Sequence, residues 1–145
     1  LAISVISAIT DTGRFQMAEA IRIGRSFVVN KFSVSDAGHS LVDPNTALAP
    51  DPTVTTIPVR TFSYTDRPIN ASVLVSAFCP QFTCVVAPGE GNGPISTLAL
   101  IATVLFSPVL DDPDVGKSFL FALGNFPLRV KVPQDSWTFN ALVQL

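Results

Sequence analysis

A single stretch of the sequence, Thr10–Ser26 (TDTGRFQMAEAIRIGRS), has helical spacing. After it the apolar residues either alternate or run unbroken between prolines. Spacing of 3.6 buries one stripe of a helix and spacing of 2 buries one face of a strand. One helix followed by strands therefore predicts an α+β chain that is mainly β. Thr10 and Asp11 are N-cap residue types, and the acid suits the positive end of the helix dipole. Phe15, Ala18 and Ile21, with Met17 and Ala20 beside them, predict an apolar stripe turned toward a sheet. Gly24 and Arg25 suit the helix end, where glycine turns left-handed and a cation meets the negative terminus.

The remainder reads as about seven strands, forming an antiparallel β-sheet or sandwich on which the N-terminal helix packs. FVVNKFSVS places Val28, Phe32 and Val34 on one side, together with Asn30. VRTFSYTD, INASVLVSAF, FTCVV, ISTLALIATVLF, KSFLFALGN with PLRVKV, and SWTFNALVQL follow. In the last of these Trp137, Phe139, Ala141, Val143 and Leu145 share one face, and the unbroken run from Ile95 to Phe106 predicts a strand covered on both faces. The domain organisation is a single domain, 1–145, with the helix at about 10–26 and the β-rich body at 27–145. Leu1, in place of an initiator methionine, reads as part of a longer product. LAISVISAI is apolar but too short to span a bilayer, so no membrane insertion is expected.

Between Asp36 and Pro58 lies a long loop carrying four prolines, which lack the amide donor and break helix and central strand alike. It also carries Leu41, Val42, Leu48, Val54 and Ile57. Burying an aliphatic side chain stabilises by roughly 1.5–3 kcal/mol, so the loop is expected to dock on a neighbouring subunit through these five. A 48% hydrophobic and only 14% charged composition agrees with a subunit that covers surface against partners. The net charge of −2, with no basic block, argues against nucleic acid.

Constellations that carry chemistry are sparse. Gly89, Gly91 and Gly93 have the spacing G-x-G-x-G and precede Pro94 and β-branched residues. A phosphate loop needs a helix there, so the stretch reads as a chain reversal, with Asn92-Gly93 as its turn pair. Asp36, His39 and Asp43 crowd one loop and have the chemistry of a divalent-metal site, yet all three are ordinary turn residues. His39, Asp36 and a serine would make a hydrolase triad, but no G-x-S-x-G elbow supports one. Asp111, Asp112 and Asp114 sit within one proline-bearing loop and read as solvent-facing rather than as glycosidase carboxylates or a calcium site. Arg129 and Lys131 alternate with valines and predict a solvated strand face. Cys79 and Cys84 read as unbridged thiols in neighbouring strand ends, with a hairpin disulfide as the alternative. No catalytic, metal-binding or cofactor-binding residue is assigned, and no cofactor or enzymatic activity is expected.

A family resemblance rests on the order of several pieces. NGPISTLALIA resembles the N-G-x-I-S-E-I-G-L-F segment of tail-collar and tail-fibre type proteins of bacterial viruses. TDTGRFQMAEA resembles that family's opening T-x-x-G helix, and FVVNKFSVSDAGHS its strand and loop. LAPDPTVTTIPV is similar to its P-D-P-T segment, and KSFLFALGNFPLRVKV to its F-x-F-A-x-x-N-F-P stretch. Together they cover most of the chain from Ile9 onward. Thr97 stands where an acid is common, Ala99 where glycine is common, and Ser35 where glycine often precedes Asp36. The resemblance implies a structural bacteriophage virion protein, a tail-fibre or baseplate component that joins fibre to baseplate and supports host attachment. It implies assembly in the host cytoplasm, a homo-oligomer of trimeric type, and other tail or baseplate proteins as partners. The alternative is a glycan-binding or adhesive β-domain of a cell surface, for which only Trp137 and Tyr64 offer suitable rings.

Overall fold

The computed structural model describes residues 1–145. Its elements run β1 (Ala2–Ile9), α1 (Asp11–Ile23), β2 (Ser26–Ser35), β3 (Ser63–Pro68), β4 (Ala71–Ser76), β5 (Cys79–Val86), β6 (Gly93–Phe106), β7 (Ser118–Lys131) and β8 (Trp137–Val143). The eight strands form one sheet in the order β3-β2-β6-β7-β1-β8-β5-β4. Mainly-β character and the single helix agree with the sequence reading.

Two features of the sheet depart from it. A strand precedes the helix: LAISVISAI alternates outward and buried, with Ile3, Val5 and Ile9 in the core, and it lies in the middle of the sheet. The sheet is also mixed, not purely antiparallel. β1 runs parallel to β8 from Ala2↔Thr138 to Ser7↔Val143, then meets β7 antiparallel at Ala8↔Leu123 and Ile9↔Ala122. β1 thus joins two half-sheets, and one buried cluster draws on both: Phe32, Leu98, Leu100 and Phe121 from one half, Cys84, Trp137, Phe139 and Val143 from the other.

Helix α1 begins as expected. Thr10 Oγ1 accepts the amide of Gly13 at 3.0 Å and donates to the Leu120 carbonyl at 2.6 Å, so the cap also anchors the helix to β7. Gly24 closes it at φ 75°. Its orientation departs from the sequence reading: Met17 packs on the core as expected, but the buried residues are Gly13, Gln16 and Glu19, whereas Phe15 and Ile21 stand 56% and 88% exposed. The cause lies at both ends. Gly13 abuts the Phe121 carbonyl, and Arg25, buried just past the C-terminus, bonds Gln16 and draws that polar face inward.

β8 meets the alternation expected of it, with Trp137, Phe139, Ala141 and Val143 buried. β6 is buried from Ile95 to Leu100, and Val104 is also in the core, but Phe106 at its end is exposed. Residues 87–92 form the turn before β6, with Gly89 and Gly91 at φ 82° and 55°. These left-handed values suit glycine, so the stretch is a reversal that leads into a strand. Cys79 and Cys84 are free and both lie in β5. An odd offset points them to opposite faces of one strand, which rules out a bridge between them.

Candidate functional site

From Asp36 to Phe62 the chain contains no helix or strand, apart from a single bridge between His39 and Ala47. This segment is held to β2, β6 and β7 by a network of polar side chains. Asp36, at the end of β2, accepts the amides of Arg60 (2.9 Å) and Thr61 (2.9 Å) and the Thr61 hydroxyl (2.6 Å). Burial acts to raise its pKa, but these donors outweigh it and hold the carboxyl at about 2.

His39 is buried between Ser96 and Arg60, with Nδ1 2.9 Å from Ser96 Oγ and Nε2 3.1 Å from Arg60 Nη1. A guanidinium only donates, so Nε2 carries the lone pair and Nδ1 carries the proton. His39 therefore donates to Ser96, whose Oγ also accepts the Gly38 amide at 2.8 Å. A general base must take the serine's proton, and this imidazole faces the serine with a proton of its own. The pair is a structural staple, not a nucleophile with its base. Arg60 Nη2 also donates to the His39 carbonyl.

Next to this, Thr97 Oγ1 donates to Asn125 Oδ1 (2.9 Å), Asn125 Nδ2 to the Leu48 carbonyl (3.0 Å), and the Leu48 amide to the Gly38 carbonyl (2.8 Å). Gly38 is required here because a Cβ would collide with the Ser96 carbonyl and the Thr97 hydroxyl.

The residues drawn together in the sequence as a possible metal site do not converge. Asp43 caps its own turn, accepting from the Asn45 amide and the Thr46 hydroxyl, while Asp36 and His39 face other partners. The acidic loop is likewise different from its sequence reading. Asp111 is exposed, but the side chain of Asp112 is 4% exposed and lies 2.7 Å from Arg25 Nη2. The Ser107 hydroxyl, the Asp114 amide and the Arg25 guanidinium hold Asp112 at about 2. The loop thus ties the turn between β6 and β7 to the end of the helix.

Lys131 also contradicts the solvated-face expectation. It is 1% exposed, and its Nζ donates to the Ala87 carbonyl (3.0 Å) and to Asn92 Oδ1 (3.1 Å), clamping both ends of the glycine turn. Its register partner is Gly93, whose missing side chain lets the Phe62 ring close over the strand end there. Alternation overlooked the burial of Lys131 because its two acceptors, the Ala87 carbonyl and Asn92, come from a turn far back in the chain.

Of the five loop residues expected at a subunit contact, Val54 and Ile57 pack on this chain's own Ala99, Leu120 and Leu123. Leu41 and Val42 stand 80% and 96% exposed, and Leu48 is 42% exposed. Ile57 also lines a shallow depression of about 280 Å³ with Thr55, Thr56, Thr65 and Asp66, where Asp66 is the one ionisable group. Trp137 is buried edge-on to Phe139, and Tyr64 is half-buried beneath Arg67, so neither ring offers a sugar platform. No helix is long and apolar enough to cross a membrane. No protein-family model, curated protein or solved structure matches the chain.

Proposed function

We propose that the chain is a structural component of a bacteriophage tail, a connector between fibre and baseplate that works by shape and assembly and not by catalysis. The observation that carries this reading is the polar network. Each of the five pieces that resemble tail-collar and tail-fibre proteins contributes to the framework: Thr10 and Gly13 seat the helix on β7, Asp36 to His39 follow β2, the Leu48 and Pro58 carbonyls accept from Asn125 and Ser35, and Ser96 and Thr97 lie in β6. Asn125 completes it from β7. Their hydrogen-bonding groups are occupied within the chain, by one another or by Arg60, Thr61 and the β7 carbonyls, which suits a scaffold. The core shared by both half-sheets supports reading the sheet as folded over on itself, in the manner of a sandwich.

Exposed apolar side chains on several sides support burial within a larger assembly: Phe15 and Ile21 on the helix, Leu41 and Val42 on the loop, and Leu110 in the β6–β7 turn. Leu41 and Val42 remain the loop's contribution to a subunit contact, with a fibre-type trimer as the oligomer and assembly in the host cytoplasm. Val54 and Ile57 serve the chain's own fold. Immunogold microscopy of viral particles whose genome encodes this chain tests the proposal. Gold at the junction of fibre and baseplate is the expected image, and particles without label would overturn it.

A further inference from the structure

The β4 end of the sheet carries an observation independent of that function. β4 is the outermost strand, with all six residues exposed, and beyond β5 it makes no backbone hydrogen bond within the chain. Val73, Leu74, Val75 and, in the turn, Phe78 are 56%, 66%, 52% and 71% exposed. On the sheet face that leads to buried Cys84 and Val86, Leu74 with Pro80 and Phe82 continues the core side past the point where anything covers it. Proteins ordinarily guard such an edge with lysine, proline or an inward charge, and β4 has none of these.

Two further facts choose the occupant. The stretch Ala71–Ala77 reads A-S-V-L-V-S-A, the same in both directions about Leu74. In antiparallel pairing about a two-fold axis at Leu74, Leu74 meets Leu74, Val73 meets Val75 and Ser72 meets Ser76, so apolar meets apolar and hydroxyl meets hydroxyl. From Pro68 to Gly89 there is also no charged residue. A two-fold axis sets every residue near it against its like, which penalises charges directly opposite one another. This segment brings none, and it gives a charged partner nothing to bind. The bulge at Val75 and the turn at Ala77 fall on the members of the off-axis pairs that follow Leu74, while the members that precede it, Ala71–Val73, are in regular register with β5, so the contact is centred on Leu74.

We propose that β4 is a self-recognition edge: a second copy of this chain adds its own β4 antiparallel about Leu74, continuing the sheet through both copies. Light scattering over a concentration series, hydrogen exchange at residues 71–76 and oxidation of a Leu74→Cys variant in a Cys79→Ser background test it together. The expected results are an even-numbered species, β4 amides that lose protection on dilution, and a disulfide joining residue 74 of two copies. Leu74→Lys should weaken the association by about 100-fold or more while leaving the far-ultraviolet circular dichroism unchanged. Ile21→Lys, on the exposed helix face, should leave it intact. A monomer at every concentration, a trimer with freely exchanging β4 amides, or an association that Ile21→Lys abolishes and Leu74→Lys does not would each overturn the proposal.

Discussion

The two edges of this sheet were left to very different residues. β3, at one edge, is Ser63–Pro68, and within six residues it carries an acid, an arginine and a proline. Thr65 and Asp66 stand against the single residue Ser33, a bulge that holds Asp66 at φ 57° with its amide bonded to Ser33 Oγ. Arg67 lies over the Tyr64 ring and 3.8 Å from Glu90, roofing the glycine turn. β4, at the other edge, has a bulge at Val75 beside its turn but no charge, no proline and an exposed apolar run. Bulge, charge and proline are the ordinary means of stopping another strand from pairing. One chain thus closes one edge and leaves the other open, which argues that the open edge has a use.

The sharpest way to break the comparison is to damage the closed side. Asp36→Ala removes the acceptor of two amides and a hydroxyl and should cost about 2–4 kcal/mol in urea unfolding. Leu74→Ala on the open edge, measured as a dilute single copy, should cost under about 1 kcal/mol. Equal losses would show that the segment Asp36–Phe62 is not what braces the β3 side.

Acid should act on the same side. A carboxyl held at about 2 in the folded chain and near 3.9 when unfolded contributes stability that is fully present above the higher value. That contribution fades as pH falls from about 4 to about 2. Thr61→Val removes one donor, raises the folded pKa of Asp36 and should move the onset of acid loss to higher pH in thermal melts. Asp112, also held at about 2, loses its contribution in the same window, so an Asp112→Asn variant separates the two.

Lys131→Ala should cost about 1–3 kcal/mol by freeing the Ala87 carbonyl and Asn92. The loosened glycine turn should then exchange its amides faster, while β4 is unaffected. The smallest effect on stability belongs to Arg67 and Glu90, an exposed pair worth under about 1 kcal/mol. Its effect on association should be larger in kind: Asp66→Asn, which keeps a residue at home at φ 57°, with Arg67→Val strips the charge from β3, and light scattering should then report a second mode of self-association. If that double variant associates no more than the parent chain, charge is not what keeps β3 solitary.

How much of this was legible in the sequence follows from what each signal measures. Strand period found β8 because Trp137, Phe139, Ala141 and Val143 face one uniform core. Cap chemistry found the start of the helix because Thr10 acts on residues within one turn of it. Helix period failed on orientation, since an apolar stripe says which side can be buried and not which side has a place to go. Gly13 against a carbonyl and Arg25 within the fold decided that matter from residues distant in sequence. Lys131 and Asp112 were misjudged for the same reason: their partners, Ala87 and Arg25, lie far along the chain. The Ser96–His39–Arg60 staple likewise joins residues that only the folded chain brings together. The palindrome about Leu74 was visible throughout, but its meaning depended on β4 being an edge.

The place of β1 has a consequence in time. It leaves the ribosome well before its neighbours in the sheet, β7 and β8, which come last in the order of the eight strands. Ala8 and Ile9 have no partner until β7 is made, and Ala2–Ser7 have none until β8 follows, so Ile3 and Val5 wait unpaired while the strands between emerge. Closing so long a loop is entropically costly before any contact rewards it, which places folding among the slow topologies, in milliseconds to seconds. During that wait the nascent chain exposes an apolar strand at one end and an unguarded one at β4. Crowding on a polysome would therefore bring neighbouring nascent chains together while both strands are still free.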